Sequence, residues 1–81
     1  MKHTTAINTV AEILNIHPEL SVAALRVWSD ATQAPVTLAD LREGHYGSYS
    51  VLHPRIKYLV GNGYLTRSDG AVRATSKSLL P

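Results

Sequence analysis

Arg55, Lys57, Arg67, Arg73 and Lys77 crowd the second half of the chain, and no Asp or Glu stands between Glu43 and Asp69. Guanidinium and ammonium groups are the side chains that hold phosphate and carboxylate groups. An ordinary solvated surface mixes signs, so a cationic interval emptied of carboxylates points to an anionic partner. The formal charge of +2 conceals this division. Residues 1–43 hold three cations against five anions, net −2, whereas residues 44–81 hold five cations against Asp69 alone, net +4. A basic half on a mildly acidic half is a candidate for a phosphate-rich partner.

Other chemistries find less support. Cys is absent, which excludes disulfides, thiolate metal sites and Cys nucleophiles. His45 and His53, eight positions apart without a nearby pair of carboxylates, make a poor metal site, and none is expected. Ser48 or Ser50 with His53 and Asp40 has the composition of a nucleophile, base and orienting acid, but no nucleophile elbow surrounds either serine. Gly61-Asn62-Gly63 ends a helical pattern, where a phosphate loop would begin one. No enzyme, cofactor or small-molecule ligand is therefore expected. Tyr46, Tyr49, Tyr58 and Tyr64 near basic residues would suit stacking on single-stranded bases, a weaker alternative, since Tyr64 fits the base of a hairpin and Tyr46 a turn.

These residues need elements to position them. Ile7, Val10, Ile13 and Leu14 recur at helical spacing and predict a helix over residues 4–16, capped by Thr4 or Thr5 and closed by Pro18. Leu20, Ala24, Val27, Trp28 and Ala31 form the apolar stripe of a second helix over residues 19–33, with Trp28 in the core and Pro35 beyond its end. Val36 suffices for a very short strand. Thr37 with Asp40 three positions on has a capping-box arrangement and starts a short helix, residues 37–43. Gly44-His45-Tyr46-Gly47 reads as a turn. A helix over residues 50–62 follows, with Ser50 as its N-cap so that Pro54 falls in the first turn, and Asn62-Gly63 as its stop. Asp69-Gly70 between two strand-like runs predicts a β-hairpin over residues 64–75.

On a helical wheel Leu52, Ile56, Leu59 and Val60 fall within roughly 100° of one another and must face the core. The opposite face carries Ser50, Pro54, Lys57, Tyr58 and Gly61, flanked by His53 and Arg55. A helix bound for the major groove avoids acids because phosphates line both rims, and small residues at its start let the backbone approach. Its helix dipole favours an anion at that end. Ser48, Tyr49 and Ser50 are then candidates for base edges, with His53 and Pro54 beside them. Arg55, Lys57 and Tyr58 are candidates for the sugar–phosphate backbone, and Arg67 and Arg73 on the hairpin for flanking phosphates or the minor groove. The competing assignment for the hairpin has one arginine paired with Asp69.

The helix, helix, short strand, helix, turn, helix, hairpin order is that of a winged helix-turn-helix, an α+β and mostly α fold. It has a three-helix core, an extra N-terminal helix and a C-terminal β-hairpin wing. Leu52-His53-Pro54-Arg55-Ile56-Lys57-Tyr58-Leu59 resembles the recognition helix of PadR-like winged-helix regulators, which often read Leu-Tyr-Pro-x-Leu-x-x-Leu there. Gly63-Tyr64-Leu65-Thr66-Arg67 is similar to the Gly-Leu-x-x-Arg that leads into the wing of MarR-like and PadR-like proteins, and Thr75-Ser76-Lys77 resembles the Thr-x-Lys that leaves it. Leu25-Arg26-Val27-Trp28 and Thr37-Leu38-Ala39-Asp40-Leu41 resemble the module's first two helices, so the likeness spans residues 20–77. Position 53 is His where the motif usually has Tyr, and the wing is shorter than in MarR-like proteins. The resemblance implies sequence-specific binding of double-stranded DNA in transcriptional regulation, usually as a dimer. The family's long C-terminal dimer helices have no counterpart after the wing. The expected homodimer therefore uses the N-terminal helix. The alternative is a winged-helix protein-interaction module, a subunit or antagonist of a larger assembly without DNA binding.

Length sets the frame for all of this. The chain has 81 residues, 44% hydrophobic and 17% charged, the profile of one ordinary globular domain. A domain of this size buries only about 60–65% of its unfolded surface, leaving little room for a cofactor pocket beside the core. The N-terminus lacks a signal-peptide pattern and no apolar run is long enough to cross a membrane, so no membrane is expected. With the absence of Cys this predicts a cytoplasmic setting.

Overall fold

The computed structural model describes residues 11–79. Helix α1, described over residues 11–16, ends ahead of Pro18 and buries Ile13. The expected caps Thr4 and Thr5, the apolar positions Ile7 and Val10, and most of the expected dimer helix lie outside the described residues.

Helix α2 spans Val22–Gln33, three residues shorter at its start than its apolar stripe suggests. Residues 17–20 instead form a turn closed by the Leu20 amide on the His17 carbonyl at 3.0 Å. Ser21 is the N-cap, in extended backbone, and its hydroxyl accepts from the Ala24 amide at 3.3 Å. Leu20 and Leu25 then occupy the two positions of a hydrophobic staple, and both are buried. Trp28 is half-buried at the margin of the core rather than within it.

Strand β1 is Val36–Thr37, and the Thr37 hydroxyl caps helix α3, Leu38–Arg42, through the Asp40 amide at 3.1 Å. Residues 43–47 turn the chain into helix α4, Tyr49–Gly61. Strands β2, Leu65–Ser68, and β3, Ala71–Ala74, form the predicted hairpin. Its turn is Asp69-Gly70, with both residues at positive φ, 53° and 72°, as a type I′ turn requires. The three strands make one antiparallel sheet in the order β1-β3-β2, with Val36 opposite Val72 and Arg67 opposite Val72 on the other side. The Leu38 amide bonds the Gly70 carbonyl at 2.9 Å, which ties the start of α3 to the hairpin turn.

Four helices and a three-stranded antiparallel sheet thus make a small α+β fold among the described residues. One core joins them, with Val27, Leu41, Leu52, Leu59, Leu65, Val72 and Leu79 essentially sealed from solvent. No helix among the described residues is long and apolar enough to cross a membrane.

The hairpin turn yields a stability test. A Cβ added at Gly70 would meet open space, so Gly70→Ala isolates the cost of left-handed backbone for a residue with a side chain. Urea denaturation is expected to show a loss of about 1–2 kcal/mol. Unchanged stability would mean that the turn is not held in this conformation.

Candidate nucleic-acid interface

Helix α4 carries most of the candidate residues. Its N-cap is Ser48, in extended backbone with φ −62° and ψ 123°, rather than the expected Ser50. Ser48 makes no side-chain cap bond; its hydroxyl pairs with that of Ser50 at 3.0 Å. The first turn contains no acidic residue. Its first amides thus have neither a capping side chain nor a first-turn carboxylate at the positive end of the helix dipole.

The earlier start moves Pro54 out of the first turn and into the helix interior. Proline has no amide to give the Ser50 carbonyl. Ser50 and Pro54 are both exposed, so water can serve that carbonyl. The other end is regular. The Gly63 amide bonds the Val60 carbonyl at 3.1 Å and the Tyr64 amide bonds Leu59 at 2.9 Å, the paired bonds of a Schellman motif with Gly63 at φ 82°.

Leu52, Ile56 and Leu59 are buried and Val60 half-buried, as the wheel requires. The exposed stripe is Ser50, Pro54, Lys57 and Gly61, with Val51 beside it. Two expected members of the free face are engaged elsewhere. Arg55 folds back along the helix, its Nη1 donating to the Val51 carbonyl at 2.8 Å. Tyr58 turns toward the body of the protein, where its hydroxyl meets His17 Nδ1 at 2.8 Å. His17 is buried, and its Nε2 lies 3.3 Å from the Leu79 carbonyl. A carbonyl only accepts, so Nε2 carries the proton and Nδ1 accepts from Tyr58. His17 thereby joins the α1–α2 turn, α4 and the C-terminal segment, a role no local pattern announces.

The hairpin register divides the two wing arginines. Thr66 faces Arg73 across the strands and Arg67 faces Val72, so Arg67 and Arg73 point to opposite faces. Arg67 turns toward α4, where it lines a groove of about 340 Å³ with His53, Lys57, Ile56, Val60 and Gly61. This groove has an apolar floor and basic margins. Arg73 lies instead beside residues 31–35 at the end of α2. Neither arginine forms an ion pair with Asp69 among the described residues.

Tyr49 is half-buried, with its ring centroid 5.3 Å from that of His53 and the Arg42 guanidinium 6.0 Å from its centre. Arg42, in the last turn of α3, was not singled out by the sequence pattern, which groups it with the acidic half. The helix–turn geometry brings it to the N-terminal end of α4. The turn between the helices is fixed by Tyr46, whose hydroxyl donates to Asp30 at 2.5 Å beneath the Arg26 guanidinium, 5.7 Å from the ring centre. Burial, the Asp30 hydrogen bond and nearby negative charge push Tyr46 up to about 12.

The remaining candidates do not assemble as catalytic partners. His53 stacks on Tyr49, while Asp40 faces His45, whose Nε2 is 3.7 Å from Asp40 and 3.3 Å from Glu43. These three side chains bring potential ligand atoms within 4.8 Å of one another on an open surface. No family model, curated protein or solved structure matches the chain.

Two measurements follow. Tyr58→Phe removes the donor to His17, so stability should fall by about 1 kcal/mol. Affinity for any polyanion should stay unchanged; a large affinity loss would return Tyr58 to the interface. An ultraviolet pH titration should find a component ionising near 12 that is missing in Tyr46→Phe, while burial also holds Tyr58 above the ordinary tyrosine value. The folded state binds this proton more tightly than the unfolded chain, whose tyrosine titrates near 10.0. The resulting stabilisation is complete below pH 10.0 and disappears as the pH approaches 12. Four tyrosines ionising together would contradict the Tyr46–Asp30 bond.

Proposed function

We propose that this chain is a winged helix-turn-helix domain that binds double-stranded DNA in a sequence-specific manner as a regulator of transcription. In this reading α2, α3 and α4 are the three-helix core, α3 and α4 form the helix-turn-helix, and the β2–β3 hairpin is the wing. The element order α2-β1-α3-α4-β2-β3 is compatible with that fold. The observation that carries the reading is the exposed stripe of α4: small at its start, uncapped, free of acids, and bordered by Lys57 and Arg67 across a groove. A helix lying in the major groove would bring its first turns to base edges, while Lys57 and Arg67 hold the phosphates of one rim. Arg42 extends the same basic border around Tyr49.

Duplex rather than single-stranded DNA is favoured by the tyrosines. Tyr46, Tyr49, Tyr58 and Tyr64 are all half-buried and engaged with other side chains, which leaves no free stacking platform of the kind single strands use. Two copies on a pseudo-palindromic site would double the interface, and a cytoplasmic setting accords with this role.

A salt titration with duplex DNA tests the proposal. The logarithm of affinity should fall linearly with the logarithm of salt concentration, and Lys57→Ala with Arg67→Ala should make the slope shallower by about 2 for each bound copy. Arg73→Ala, altering the other face of the hairpin, should leave it unchanged. An absence of duplex binding at low salt would defeat the assignment and favour the protein-interaction alternative.

A further inference from the structure

The exposed surface of α4 is unusual in what it offers a base pair. Guanine and adenine are read in the major groove by side chains with paired or planar donors: Arg, Lys, Asn or Gln. Over the first two turns of α4 the exposed side chains are Ser50, Val51 and Pro54. The single guanidinium in that stretch, Arg55, is folded onto the Val51 carbonyl, and its Nε is enclosed. Lys57 is the first long free donor, at the groove shared with Arg67.

Val51 is 57% exposed, a large apolar side chain turned to solvent. Neither a core contact nor the cap of α4 requires it there. Pro54 lies three positions on, one turn along the same side, and presents a second apolar surface. The one apolar group that a base pair shows in the major groove is the C5-methyl of thymine. Lys57 follows Pro54 by three positions, one turn along the exposed stripe, and lines the groove with Arg67, so cations adjoin this small apolar patch on its Pro54 side, a setting suited to a polyanion.

We infer that Val51 and Pro54 select DNA sites by the C5-methyl groups of thymine, so that the chain's specificity rests on methyl contacts instead of bidentate hydrogen bonds. This rests on the DNA-binding reading above and adds to it the class of sequence bound: duplexes with thymines beneath the first two turns of α4.

The experiment separates the two. Bound duplexes are selected from a random pool with the full chain. Each thymine of a selected site is then replaced singly by deoxyuridine, which keeps the pairing edge and lacks only the methyl. At one or two positions wild-type affinity should fall about fourfold, the equivalent of one methyl-sized group returned to water. In Val51→Ala or Pro54→Ala the same replacement should cost almost nothing, because the contact is already lost. Both residues are exposed, and circular dichroism with duplex binding at low salt verifies that the variants fold. If duplexes bind but every deoxyuridine replacement is neutral, or costs the variants as much as wild type, the methyl inference fails and DNA binding stands. If no duplex binds under any salt condition, both fall.

Discussion

The rotation of α4 about its own axis is the constraint on which the candidate surface depends. Leu52, Ile56 and Leu59 are buried in the single core, among Val27, Leu41, Leu65, Val72 and Leu79. Each such side chain is worth about 1.5–3 kcal/mol in burial, so the three together dominate any preference among surface residues. Turning the helix by one residue, about 100°, would expose part of this set and bury polar neighbours. Once that angle is set, Ser50, Pro54, Lys57 and Gly61 have no other direction to face. The Schellman bonds around Gly63 then aim the chain into β2, and the type I′ turn returns it as β3 beside β1.

Features carried by short-range signals were the legible ones. The Asp69-Gly70 turn, the Thr37 cap, the Gly63 stop and the buried stripe of α4 each rest on residues within a few positions of one another. The helix starts were less legible because several hydroxyls competed. The pattern places Ser50 at the N-cap of α4 to spare Pro54 an interior position, yet Ser48 takes that position without a cap bond and the proline is accommodated where its lost bond faces solvent. Ser21 likewise displaced Glu19 as the start of α2, because the His17–Leu20 turn occupies the preceding residues. The division of Arg67 from Arg73 was written in the sequence: a two-residue turn at Asp69-Gly70 fixes the register, and period-2 alternation then sends them to opposite faces. Tyr58 was illegible, since its partner His17 is 41 positions away and no helical wheel contains that contact.

The same long-range contacts redraw the charge argument. The basic half of the chain has five cations, but they do not form one face. Lys77 donates to the Asn62 carbonyl at 2.7 Å and lies 4.6 Å from the centre of the Tyr64 ring, holding the C-terminal segment against the end of α4. Arg55 serves its own helix and Arg73 the far side of the hairpin. Lys57 and Arg67 remain beside the groove, and Arg42 joins them from the acidic half. Charge summed along the sequence overstated how much of it converges.

Three converging cations bear on how such a surface could bind DNA. Each neutralised phosphate contributes about 0.9 to the logarithmic salt slope, so one copy would show a slope near −2.7, well below that of proteins making roughly 6–10 phosphate contacts. An interface so sparing of charge draws less of its affinity from the sequence-independent backbone, and base contacts account for a larger share. In the proposed function that would place the burden of recognition on the close fit of Ser50, Val51 and Pro54 to the groove floor, where small side chains allow a near approach and the first turn of α4 holds no acid. It also makes a second copy valuable in the proposed function: pairing two half-sites doubles the phosphate contacts without adding any charge to the individual chain.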